Sequence, residues 1–178
     1  MKNLSPVQQK FILHWGEMGT RWGINRTVAQ IHALLYISPK PLNAEQIAET
    51  LAVARSNVST SLKELQGWGI VKRVHVMGDK RDHFDSMKDV WEMFRVVLDE
   101  RKRREIDPTL ALLHECIAEA EKDKETDEYT EERLRALQDF FQITTSWYVQ
   151  VRRWPTQALV KFVKLGDKVL KLLGVTSS

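Results

Sequence analysis

Apolar side chains recur at three- and four-residue spacing along most of the chain, the signature of amphipathic helices. Phe11, Ile12, Trp15, Met18 and Trp22 form the first stripe. Ser5-Pro6 introduces it, a serine able to cap and a proline suited to the first helical position. Val28, Ile31, Leu34, Leu35 and Tyr36 form the second, with Asn25 as its cap and Ser38-Pro39-Lys40-Pro41 as its stop. Asn43 and Gln46 have capping-box spacing, and Ile47, Ala48 and Leu51 face inward from the short helix they open. Ala52-Val53-Ala54 is a tight connection to a helix over 55–65 that buries Val58, Leu62 and Leu65. The period then changes. Ile70 to Val76 is β-branched and roughly alternating, Met77-Gly78-Asp79-Lys80 is turn chemistry, and Arg81 to Asp85 returns as a second strand.

From Lys88 onward the pattern is helical again. Val90, Trp91, Phe94, Val97 and Leu98 run into the basic cluster Arg101-Lys102-Arg103-Arg104. Asp107-Pro108 predicts a new helix start, followed by Leu110, Leu113, Ile117 and Ala120 at core spacing. A break is expected near Thr126–Thr130, with Thr130 capping a helix that buries Leu134, Leu137, Phe141, Trp147 and Tyr148 and ends at Pro155. An amphipathic helix over 156–173 closes the chain, with Lys161, Lys164, Lys168 and Lys171 on one face. Helix, helix, helix, tight turn, helix, hairpin is the order of a winged helix-turn-helix. The predicted fold is therefore mainly α with a small β-hairpin wing. Its expected divisions are an N-terminal helix over 1–24, the winged helix-turn-helix over 25–87 and a helical region over 88–178.

Composition sharpens this picture. The 178 residues are 43% hydrophobic and 29% charged, enough apolar material for one domain or for one small domain with an appendage. The single cysteine, Cys116, excludes an internal disulfide and a cysteine-based zinc site. His75 and His83 can face each other across the hairpin, but two ligands make a poor metal site, and no metal or cofactor is expected. No signal-peptide pattern and no spanning stretch is present, so a cytoplasmic protein without a membrane segment is expected. No nucleophile arrangement or glycine-rich phosphate loop appears, which argues against an enzyme.

The net charge of +3 is too small to name a partner, so its distribution decides. Between Arg55 and Arg81 six basic residues face only Glu64 and Asp79, while acids pool between Glu119 and Glu132. The second helix of the helix-turn-helix leaves Arg55, Ser56, Asn57, Ser59, Thr60 and Lys63 outward or flanking. Hydroxyl, amide and basic groups on one helical face suit phosphates and base edges in a major groove. The wing adds Lys72, Arg73, Lys80 and Arg81. The plainer alternatives are a solvated face with Ser56 as a cap, and Arg81 pairing with Asp79 or Asp82 to hold the turn.

Leu42-Asn43-Ala44-Glu45-Gln46-Ile47-Ala48-Glu49-Thr50-Leu51, Ser56 to Leu65, and Trp68-Gly69-Ile70-Val71-Lys72-Arg73-Val74 together resemble the winged-helix core of MarR-type transcriptional regulators. The GbsR-like branch, whose members control genes for glycine betaine and other compatible solutes, is the nearest in pattern. Gly16, Gly19, Arg21, Trp22-Gly23-Ile24, the turn Gly78-Asp79-Lys80-Arg81-Asp82 and Asp89-Val90-Trp91 extend the resemblance over about residues 10–115. It implies a homodimer joined through its N- and C-terminal helices and a pseudo-palindromic double-stranded DNA operator. It also implies repression modulated by a small ligand such as choline or glycine betaine, with Lys80 and Arg81 at the wing position that touches DNA. Trp15, Trp22, Tyr36, Trp91 and Trp147 are candidates for an aromatic cage around a quaternary ammonium group, as also are Tyr148 and Trp154. Each can equally be core or interface packing. Three alternatives stay open: a redox-sensing regulator using Cys116, a winged helix that binds protein rather than DNA, and a membrane-surface rather than dimerisation role for the lysine-faced last helix.

Overall fold

The computed structural model describes residues 4–123 and 125–172, and the side chains of these as far as residue 165. The chain forms two compact units that divide between Val97 and Leu98.

The first unit begins with α1 (Pro6–Arg21), which opens on a complete capping box between Ser5 and Gln8. α2 (Arg26–Ile37) starts on Asn25, whose side chain accepts from the Thr27 amide. The sequence gives α2 an apolar stripe, yet every residue from Val28 to Leu35 is buried, including Gln30 and His32. It is the central helix of the unit, covered on all sides. α1 lies close against it: a Cβ on Gly16 would come within 2.7 Å of Gln30, and one on Gly19 within 2.5 Å of Ala29. Glycine is needed at both because only a hydrogen fits between the two helices.

α3 (Ala44–Leu51) carries the expected Asn43–Gln46 capping box, and α4 (Arg55–Gly67) follows a three-residue connection. Ala52 turns that corner with a left-handed backbone, φ 57°. Leu42–Asn43 forms a short strand, β1, that sequence periodicity did not predict. It pairs with β3 (Asp79–Ser86), which also pairs with β2 (Val71–Val76), giving an antiparallel sheet of order β1-β3-β2. The β2–β3 turn is two residues, Met77-Gly78, with Gly78 at φ 85° and the Met77 side chain fully exposed. His83 sits opposite Val74 and is buried, whereas His75 is exposed at a bulge. The two histidines therefore do not face each other. Lys88 closes the C-terminus of α2, its Nζ donating to the carbonyls of Leu35 at 2.7 Å, Tyr36 at 3.0 Å and Ser38 at 3.3 Å. A cation on the open carbonyls of a helix end suits both their hydrogen bonding and the helix dipole. α5 (Val90–Arg101) starts on Asp89 and buries Met93 in this unit, while Val90 and Phe94 stay exposed.

The second unit corrects two expectations. α6 (Asp107–Ala120) does start at Asp107-Pro108, but no break precedes it. A π-helical segment, Lys102–Ile106, leads from α5 directly into it. Pro108 has no amide to donate to the preceding turn, and a local change of hydrogen-bond register lets the helical path continue past it. The cap of α7 (Glu128–Arg152) is Asp127 rather than Thr130; its carboxylate accepts from the Thr130 amide and hydroxyl at 2.9 and 2.7 Å. α7 buries Val151, while Leu137 and Trp147 are exposed and Leu134, Phe141 and Tyr148 are half-buried. Tyr148 donates to Asp99 at 2.8 Å, and Arg152 pairs with the same carboxylate. Burial and the bond to Asp99 push the Tyr148 phenol above its ordinary range. α8 (Thr156–Leu172) is helical as expected. The side chains of Lys168, Lys171 and Leu173 in the predicted lysine-faced helix lie outside the described residues.

Candidate nucleic-acid interface

α4 is fixed from one side. Val58, Ser61, Leu62 and Leu65 are buried against the core, so the helix can present only its opposite face. That face carries Arg55, Ser56, Asn57, Ser59, Thr60 and Lys63, all exposed. Ser56 is not a cap: Ala54 is the N-cap and supplies no side-chain bond. The hydroxyl of Ser56 therefore stands on the open first turn, beside amides that the helix itself does not satisfy.

A groove of about 430 Å³ runs between α3, α4 and the wing, with Ser59, Lys63, Arg55, Arg73 and Arg81 in its lining. Recognition-helix and wing cations thus share one concave surface. Lys63, Lys72 and Lys80 make no ion pair among the described residues. The arginines do. Arg81 takes both oxygens of Asp79, with Nε at 2.9 and 3.1 Å and Nη2 at 2.6 Å. The Arg81 guanidinium holds the Asp79 carboxyl far below the usual carboxylate range, and Asp79 and Glu45 together raise Arg81 above its own. Glu45 bridges Arg55 at 3.2 Å and Arg81 at 3.1 Å, and Arg73 pairs with Asp82 at 3.2 Å. Glu45 and Asp82 lie outside the window from Arg55 to Arg81, so a charge count along the sequence missed them. Including them halves the local basic excess. Glu45 was within reach of sequence reasoning, as an acid at the second position of a capped helix next to a recognition helix.

Two of the seven aromatic candidates line one cavity. Trp15 and Trp22 line an apolar cavity of about 230 Å³ between α1, α2, α4 and α5, together with Trp68, Met93, Phe94 and His32. Tyr36, Trp91 and Trp147 do not line it. Tyr36 instead stacks near His32, with ring centroids 6.3 Å apart, and lies 6.0 Å from the Lys88 ammonium. His32 was not singled out in the sequence. It is buried, its Nε2 has no hydrogen-bond partner, and burial, helped by Lys88, lowers its pKa to about 4. Cys116 is a half-buried free thiol on α6. No helix among the described residues is long and apolar enough to cross a membrane.

Residues 22–82 match the model of the MarR family, a span that takes in α2, the helix-turn-helix, β2 and the first half of β3. The matched segment is a MarR-type winged helix-turn-helix. Among curated relatives, the chain is 22% identical over 154 residues to the HTH-type transcriptional repressor GbsR of Bacillus subtilis, covering 83% of this chain and 85% of that one. The repressor OpcR of the same organism matches at 22% over 73 residues, 41% of this chain and 40% of the other. Among solved structures, a crystal structure of a transcriptional regulator shares the fold, with a TM-score of 0.61 at 20% identity over 83% of this chain and 96% of that one.

Proposed function

We propose that the protein is a dimeric repressor, with two copies of α4 in successive major grooves of a pseudo-palindromic operator and the β2–β3 hairpins on the adjoining backbone. The observation that carries this reading is the shared groove, in which the polar face of a buttressed helix and the wing cations open on the same side. Ser56, Asn57, Ser59 and Thr60 read base edges, and Arg55, Lys63, Arg73, Lys80 and Arg81 engage phosphates. Residues 25–87 are the DNA-binding part, and 1–24 and 88–178 are the dimerisation parts. The likeness to GbsR supports compatible-solute genes as the target. The Trp-lined cavity supports a small effector, with indole faces that attract a quaternary ammonium such as choline or glycine betaine.

Footprinting on the protein's own upstream DNA, followed by titrations with the variants, tests this. Asn57→Ala and Thr60→Ala should each cost about 1–3 kcal/mol on the protected site and less on random duplex. Lys63→Ala and Lys80→Ala should weaken both alike and flatten the salt dependence by about one unit each. Equal losses on both duplexes for Asn57 and Thr60 would remove the base-reading role. Millimolar choline that changes neither tryptophan fluorescence nor DNA affinity would remove the effector.

A further inference from the structure

Each arginine in the groove is held by a carboxylate, but not equally. Asp79 chelates Nε and Nη2 of Arg81 and also accepts from the Arg81 amide at 3.0 Å, all within two residues of the wing turn. Glu45 reaches Arg81 through one contact, to Nη1, from another element. Its other oxygen meets Nη1 of Arg55, which has no other ion-pair partner among the described residues. The three side chains remain open to water, with 71%, 54% and 43% of Arg55, Arg81 and Glu45 exposed. Asp79 is therefore the fixed partner and Glu45 the exchangeable one. Displacing Glu45 frees one N–H edge on each of two guanidiniums, one from the recognition helix and one from the wing.

A phosphodiester offers two non-bridging oxygens in a fork much like that of a carboxylate, and guanidinium binds both by the same geometry. We propose that Arg55 and Arg81 form a phosphodiester subsite that Glu45 occupies in the free protein. On DNA a backbone phosphate replaces the Glu45 carboxylate, while Asp79 stays on Arg81 and keeps its guanidinium oriented. This rests on the DNA-binding reading of the groove. Glu45 thereby sets affinity in two opposed ways. It keeps the two arginines at the spacing of a single anion, and it makes every incoming phosphate compete with an internal one. It is a positioning residue that touches the subsite rather than the bases.

Glu45→Gln keeps shape and hydrogen bonding while removing the charge. Binding of a random duplex of about 30 base pairs, followed by fluorescence anisotropy across salt concentrations, is the readout. Two exposed ion pairs lost as competitors should tighten binding about three- to tenfold. The salt dependence should steepen by up to about one unit. In a background lacking both guanidiniums, Arg55→Ala with Arg81→Ala, the same substitution should gain nothing. Glu45→Ala, which removes the spacer as well as the charge, should gain less than Glu45→Gln, and thermal melts confirm that each variant is folded. Folded variants that bind no better than the unmodified protein would make Glu45 a brace and overturn the proposal. A gain that survives in the background lacking both arginines would do so too, by showing that charge removal alone is responsible. If unmodified and variant proteins alike bind duplex without salt dependence, the DNA-binding reading of the groove itself falls.

Discussion

His32 makes the stability of the first unit depend on pH. Its ring is buried beside the apolar cavity, so the folded protein keeps it neutral down to a pKa of about 4. In the unfolded chain it titrates near 6.5. As pH falls, the unfolded state takes up the proton first, and stability is lost between about 6.5 and 4. The loss in that window is on the order of 3 kcal/mol. Urea denaturation at a series of pH values should show it, and His32→Phe should flatten the slope. A wild-type midpoint unchanged from pH 7 to 4.5 would contradict a neutral buried imidazole. His32 was invisible in the sequence because an apolar stripe at helical spacing marks one side of a helix, and α2 is buried on every side. Asn57 and Thr60 were visible for the complementary reason: Val58, Leu62 and Leu65 left them no inward direction.

At the level of elements, the fit of α1 on α2 depends on two missing methyl groups. Gly19→Ala would press a Cβ to 2.5 Å of the Ala29 side chain and must push the helices apart. A cost of about 1–3 kcal/mol is expected, seen as a lowered melting temperature. Gly67→Ala, at the end of α4 with nothing within 4 Å, is the control and should be neutral or slightly stabilising. The α1–α4 helices and the hairpin followed from periodicity and capping residues, because local chemistry and tertiary burial agree there. Three features did not follow. β1 is two residues long, too short to carry a period, and exists through its pairing with β3. Asp127 and Thr130 both offer a side-chain oxygen at the start of α7, and the carboxylate, the stronger acceptor, took the cap. The π-helical passage before Pro108 has no periodic signature, since proline in sequence signals a start and not a detour.

For the whole molecule, the apolar surface of α7 is the largest departure from expectation. Leu137, Phe140, Ile143 and Trp147 are 45%, 58%, 69% and 56% exposed. The sequence pattern marked Leu137 and Trp147 as buried, and the described residues leave both exposed. Contiguous large apolar groups on a soluble protein mark an interaction surface, and the proposed dimer supplies a second copy to cover this one. Ile143→Glu should shift sedimentation from dimer to monomer, with association weakened by more than about tenfold. A dimer unaffected by that charge would place the interface elsewhere. The charge pattern, too, belongs to this scale. Glu45 joins the basic surface only after folding, across the sequence distance from α3 to the wing. The Met77 thioether has a different use. It stands fully exposed at the tip of the wing, whereas Met18 and Met87 are half-covered and Met93 is buried. Peroxide oxidises accessible thioethers first, so mild oxidation read by mass spectrometry would mark this one atom ahead of those three. The wing thus carries its own chemical reporter, whose protection by an added duplex could be timed without attaching a label.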